Sequence, residues 1–251
     1  MNQDTHSGVA GSAASLEVAA ELRLRDKRTG QLANLAGLAQ FAQPALQRLD
    51  LPSIVTPVLI DGYWQPGSSA NTLATGWNAT ILIELDGTGT VVADGLAIVT
   101  TGAVVRGLAI FGFGNSGVGN GIRLGSGTLQ GSSNGNTIAG NIIGMRADGT
   151  TIAANTGYAI AVSALGNVDS NTIGGAAPAD RNILSGNAQS GVLLNSPGTG
   201  NVIRNNYIGT NAAGTAARAN QFTGNRIGAN VADAALARQP TTHLNSRPAS
   251  R

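Results

Sequence analysis

From about Leu51 the chain is built of short apolar runs. IVTPVLIDG (54–62), ATILIELDG (79–87), GTVVADGLAIV (89–99) and GAVVRGLAIFG (102–112) are rich in β-branched and aliphatic residues, and each is bounded by Gly, Asp-Gly or Pro. That is the pattern of strands separated by tight turns. Near-continuous apolar runs suit parallel strands covered on both faces better than hairpin ribbons. Nothing between them is long enough to be a crossover helix, so a βαβ sandwich does not fit. Parallel strands without crossover helices leave a coil, in which the chain winds round a core and strands stack ~4.8 Å apart. The pattern therefore predicts an all-β fold, a right-handed parallel β-helix over residues 50–228.

Internal repetition supports the coil. GNTIAGNIIGMRADGT (135–150) returns 65 residues later as GNVIRNNYIGTNAAGT (200–215), identical at nine of sixteen positions. NTIGG (171–175) followed by RNILSGN (181–187) lies between them, so the return spans about two units. Gly-x-x-Ile/Leu segments recur as GLAI (95–98), GIRL (121–124), GYAI (157–160) and GVLL (191–194), each followed by a pair of shorter strands. A further copy, ANQFTGNRIG (219–228), places Phe222 at the position of Ile203. Insertions such as GGAAPAD (174–180) fall between strands, where a solenoid tolerates them. Asn136, Asn141, Asn171, Asn182, Asn201 and Asn206 recur at the corners. Asn accepts the left-handed conformation of a sharp corner, and stacked amides can hydrogen-bond along the axis. Their expected role is structural.

The two ends differ from this body. Residues 1–49 hold five of the basic residues (Arg23, Arg25, Lys27, Arg28, Arg48), with apolar spacing closer to helical than alternating, and Pro44 interrupts the second run. Three readings stand open: a helical cap over the end of the core, a disordered tail, or a segment foreign to the fold. Residues 229–251 lose the strand pattern and end in a Pro/Ser/Arg stretch, read as a disordered tail.

Composition narrows the class. Glycine, at 36 of 251 residues, is about twice its usual share, and charged residues are only 11%. Disorder needs few aliphatics and high net charge, whereas 42% of this chain is hydrophobic and its net charge is +2. No run of Lys/Arg interleaves with aromatics, so nucleic acid is not the expected partner. Without cysteine there are no disulfides or thiolate metal sites. No stretch has the ~18 apolar residues of a membrane-spanning helix. The first residues lack the charged start and apolar centre of a signal peptide.

LPSIVTPVLIDGYWQPGSS (51–69) with NATILIELDG (78–87), and the later NTIGGAAPADRNILSGN and NNYIGTNAAGT, resemble a bacterial family of right-handed parallel β-helix repeat proteins of the pectin-lyase-like fold. The resemblance spans roughly residues 50–228. It implies a secreted or cell-surface protein, mostly of kinds without an established activity. Residues 1–49 do not resemble the family, and its members usually continue with further coils after the position of Gly228. An excerpt of a longer β-helix is therefore a third expectation, beside a structural module and an enzyme.

Polysaccharide-cleaving β-helices are the enzymatic alternative, as lyases or glycoside hydrolases. A hydrolase needs clustered carboxylates, one as acid and another activating water. Asp61, Glu84, Asp86, Asp94, Asp148, Asp169 and Asp180 are scattered, and four of them (Asp61, Asp86, Asp94, Asp148) precede glycine, where turn chemistry accounts for them. A lyase needs Ca²⁺-binding acids beside an arginine base; Arg106 and Arg123 are read instead as solvated strand-face arginines. His6 and His243 fall in the two ends, which removes the usual general base. The glycine-rich 112–121 follows a strand without opening a helix and is read as a loop. Tyr63, Trp64 and Trp77 are expected to pack over the first coil, with sugar stacking as the alternative. No catalytic, cofactor or metal residues are assigned. The sequence reading is a non-catalytic module for adhesion or display, with surface polysaccharide or another protein as partner.

Overall fold

The computed structural model describes residues 23–26, 32–34, 51–88, 94–114, 118–125, 132–162, 167–195 and 198–221. The chain is a parallel β-helix of three sheets. Its first full coil runs through β3 (Val58–Asp61), β4 (Ile83–Asp86) and β5 (Leu96–Ile98). The second uses β6 (Val104–Arg106), β7 (Leu108–Phe111) and β8 (Ile122–Leu124). The third uses β9 (Thr137–Ala139), β10 (Ile142–Ile143) and β11 (Ile160–Val162), and the fourth β12 (Thr172–Gly174), β13 (Ile183–Leu184) and β14 (Val192–Leu194). A fifth begins with β15 (Val202–Arg204) and β16 (Tyr207–Ile208). Every third strand pairs in parallel. The first sheet stacks β3, β6, β9, β12 and β15, the second β4, β7, β10, β13 and β16, and the third β5, β8, β11 and β14.

Period-2 alternation on strands this short points one or two side chains inward from each. Stacking turns them into ladders: Ile60, Val105, Ile138, Ile173 and Ile203 in the first sheet, and Leu85, Ile110, Ile143, Leu184 and Ile208 in the second. The third sheet adds Ile98, Leu124, Val162 and Leu194. Residues of these ladders inside the stack, such as Ile138 and Ile143, are fully buried, each worth about 1.5–3 kcal/mol against exposure. The 65-residue return is thus two coils, because β12 and β13 lie between its copies.

One register differs from the sequence alignment. GLAI, GIRL and GVLL stack as expected, but Ile160 sits over Ile122, so Ala159 and not Gly157 lies level with Gly121. A slip of two residues preserves which side chains face inward. The packing therefore selects apolar identity over the glycine match.

The corners depend on asparagine, and there are three ladders where six asparagines had suggested two. Asn136, Asn171 and Asn201 stack at the corner before the first sheet, and Asn141, Asn182 and Asn206 at the next. Asn155, Asn187 and Asn220 form the third. Each Oδ1 accepts a hydrogen bond from the coil below, as from Ala103 N to Asn136 (2.7 Å) and from Asn141 N to Asn182 (2.9 Å). Apart from Asn171, whose Nδ2 donates to Asn201 Oδ1, each Nδ2 donates down to a carbonyl, as from Asn182 to Ile138 (2.8 Å) and Asn206 to Ile173 (2.9 Å). Asn220 belongs to the third ladder, so 219–221 is not the copy of the Asn201 corner that the sequence suggested; residues 222–228 lie outside the described residues.

The left-handed role expected for these asparagines is also corrected. Among described non-glycine residues only Ser170 and Asn205 have positive φ, both 56°, and each precedes a ladder asparagine. The preceding residue makes the turn, as Gly135 does at φ 59°. The asparagine keeps ordinary backbone so that its amide can reach the neighbouring coil.

Of residues 1–49, the structure describes β1 (Arg23–Asp26) and β2 (Leu32–Asn34), an antiparallel pair that adds to β3. The helical reading is corrected for these residues. The first strand of a stack leaves an unpaired edge, and β1 pairs with it. The rest of 1–49, and the tail 229–251, lie outside the described residues.

Replacing Asn182 by Ala removes a buried amide and leaves Asn141 N and Ile138 O without that partner. It is expected to cost roughly 2–4 kcal/mol, read from the denaturant midpoint. Asn211→Ala, at an exposed hairpin, is expected to change it little.

Candidate functional site

Charged side chains on this solenoid lie on the outer faces of the sheets, since the inner positions are apolar. Asp61 ends β3 and stacks beneath Arg106 of β6. Its side chain is fully buried; Oδ2 accepts from Arg106 Nη2 at 2.6 Å and Oδ1 accepts from Tyr63 N at 3.0 Å. Asp86 lies beneath Phe111, does not stack with Asp61, and belongs to the second sheet. There Glu84 and Asp86 face Arg146 at 3.4 and 3.7 Å, and the guanidinium lies 4.7 Å from the Phe111 ring centre. On the third sheet Asp94 accepts from Asn120 N (2.9 Å), Asn120 Nδ2 (2.7 Å) and Arg123 Nε. Arg106 is exposed on its strand as expected and Arg123 is half-buried, and each is paired with a carboxylate one coil away.

The remaining carboxylates serve the backbone. Asp148 accepts from Thr150 N and Thr151 N, both at 2.8 Å, and from the Thr151 hydroxyl at 2.5 Å. The Thr151 hydroxyl, then the backbone donors, hold its carboxyl down at about 2. Asp169 accepts from Thr199 N (2.7 Å) and Asp180 from Ala177 N (2.9 Å). All seven carboxylates weighed as candidates are therefore hydrogen-bonded or ion-paired. Asp61, Asp86 and Arg106, whose convergence would mark an active site, divide between two sheets and two different partners. Among the described residues, no group of three or more His, Cys, Asp or Glu gathers as a metal site would require. His6 and His243 lie outside the described residues.

The aromatic residues pack. Tyr63 donates from its hydroxyl to Gly140 O at 2.6 Å. Its ring lies against Gly107 (φ 74°) and Gly140 (φ 67°), where an added Cβ would meet it. Burial holds its phenol well above the usual range; Asp61 adds to the shift and Arg106 opposes it. Trp77 packs on a second apolar cluster, made by the outward residues Ala109, Phe111, Ile142 and Ile183 of the second sheet with Ile81, Met145 and Ala212. Trp64 is half-buried. Segment 112–114 and 118–121 is loop where described, as expected.

Sequence reasoning missed two things. One is the third ladder, whose spacings of 32 and 33 residues equal a coil and could have found it. The other is Arg181, 3% exposed, which no local motif announces. Its Nη1 donates to Leu73 O (3.2 Å) and Gly76 O (2.6 Å). Its Nη2 donates to Ala74 O (2.7 Å) and Asn205 Oδ1 (2.9 Å). All four acceptors are neutral.

No protein-family model, curated protein or solved structure matches the chain. No helix among the described residues is long and apolar enough to cross a membrane.

Asp148 yields a pH dependence of known sign. Its folded value, about 2, lies below the unfolded one near 3.9. The stabilisation is present above about pH 4 and is lost as pH falls toward 2. Asp148→Asn is expected to flatten that acid limb, measured by thermal unfolding at stepped pH.

Proposed function

We propose that this protein is a non-catalytic β-helix module for structure and interaction, part of a bacterial surface or secreted assembly used for adhesion or display. One observation carries the reading. Each of the seven candidate carboxylates is already held by backbone donors, arginines or both. A general acid or base must reach a substrate proton with a suitably placed pKa. A carboxylate bound by an arginine or by backbone N–H groups has its lone pairs engaged within the fold.

The extracellular setting rests on the resemblance of residues 50–228 to bacterial pectin-lyase-like β-helix proteins. The partner class is a surface polysaccharide or another protein, met along an outer face of the stack. A carbohydrate-active enzyme of the same fold is the competing outcome, and a fragment without independent function is the third.

The test is incubation with pectic, alginate, xylan and host-type glycans, following reducing ends and unsaturated-uronate absorbance, alongside co-sedimentation with the insoluble polymers. Retention on a polymer or partner without new ends or absorbance is expected. Turnover abolished by Asp61→Asn or Asp94→Asn would establish the enzyme instead. Non-cooperative unfolding of the soluble chain would establish the fragment.

A further inference from the structure

A solenoid is held by contacts between neighbouring coils, so its stability is close to a sum over neighbours and its ends can open independently. Segment 62–82 of the first coil departs from that rule. It leaves β3 through a 3-10 turn at Gly62–Trp64, closes into a loop by paired hydrogen bonds between Ser69 and Thr80 (3.1 and 2.9 Å), and returns to β4. Within the loop Asn71 Oδ1 accepts from Leu73 N (3.4 Å) and Asn78 N (3.0 Å), and Asn78 Oδ1 accepts from Thr72 N (2.9 Å). The loop is therefore a shaped element with its own internal bonds.

What it touches runs up the stack. Tyr63 lies on Gly107 of the second coil and donates to Gly140 O of the third. Asn71 Nδ2 donates to Pro178 O of the fourth at 3.0 Å, across 107 residues of chain. Arg181 of the fourth coil binds the carbonyls of Leu73, Ala74 and Gly76, while its guanidinium lies 4.5 Å from the Tyr207 ring centre. Gly76 N donates to the Tyr207 hydroxyl of the fifth coil at 2.8 Å, across 131 residues. Beneath, Trp77 and Ile81 complete the apolar cluster on the outer face of the second sheet.

We propose that segment 62–82 is an axial clasp, which locks the fourth and fifth coils to the first so that the C-terminal coils cannot open separately. The physical basis is the burial of Arg181. A guanidinium 3% exposed, with three of its acceptors supplied by the loop, would lose those partners if the loop lifted while the coil stayed folded. Lifting the loop alone would give up these bonds together with those of Asn71 to Pro178 and of Gly76 to Tyr207, so loop and coils separate together. The clasp thus turns a stack of near-independent units into one cooperative body, able to carry load along its axis.

Amide hydrogen exchange on the full chain tests this, because it reads coils separately. Val202 N, Tyr207 N and Gly209 N bond to the fourth coil, and Thr137 N bonds to Ala103 O at the corner leading into the second. In the unaltered protein the fifth-coil amides are expected to exchange no faster than Thr137. Tyr207→Phe keeps the ring on Arg181 but removes the acceptor for Gly76 N. It is expected to speed exchange of the fifth-coil amides about tenfold while Thr137 stays unchanged. Asn71→Ala, on the loop itself and distant from the coil bonds, is expected to give the same pattern. Fifth-coil amides already much faster than Thr137 in the unaltered protein, or variants that shift every coil equally or none, would overturn the clasp.

Discussion

At the corner of a parallel coil the backbone must change direction, and its N–H and C=O groups stop facing the coil below. A buried amide left without a partner costs as much as a lost hydrogen bond. The asparagine carboxamide repairs this, since it carries one acceptor and two donors at the end of a short side chain. Asn141 shows the whole device: its Oδ1 takes the N–H of Leu108, and its Nδ2 serves the carbonyls of Val105 and Ala139. Its own N–H passes to Asn182 in the coil above. Three such columns run beside the apolar core, and the strands between them can be as short as two residues because the columns carry the register.

That economy has a consequence for the outside. From β7 upward the second sheet is largely apolar on both faces: Leu108 and Ile110 point inward, while Ala109 and Phe111 point out. Its outer face is covered by three loops of the chain: segment 62–82 and the hairpins bridged at Met145–Ile152 and Thr210–Ala217. The hairpins meet where Ala212 N donates to Gly149 O at 3.0 Å. Hence the similarity of 135–150 to 200–215: both copies build a hairpin that touches the other across an intervening coil.

The few charges follow the same logic. With inner positions apolar and outer ones partly covered, each carboxylate finds a nearby cation or backbone donor, and the ion pairs join different coils. Asp61 with Arg106, Asp94 with Arg123, and Glu84 with Arg146 all tie elements distant in sequence. Such pairing leaves each of these carboxylates engaged within the fold.

Sequence alone determined the parallel coil, its strand pairs and two of the asparagine columns, because these depend on local periodicity repeated every coil. It also located the turns, through Gly and Asp-Gly. Only tertiary structure decided the rest. The register of Ile160 over Ile122 was chosen by inward packing, which competes with the glycine match and wins. The strands at Arg23–Asp26 and Leu32–Asn34 form by pairing with an edge that no local pattern reveals. The carboxylate partners of Arg106 and Arg123 went unread because they sit 45 and 29 residues away. Arg181 was invisible for the same reason in stronger form: three of its four acceptors are backbone carbonyls more than 100 residues distant. Carbonyls belong to every residue, so no sequence pattern marks the ones a buried arginine will use.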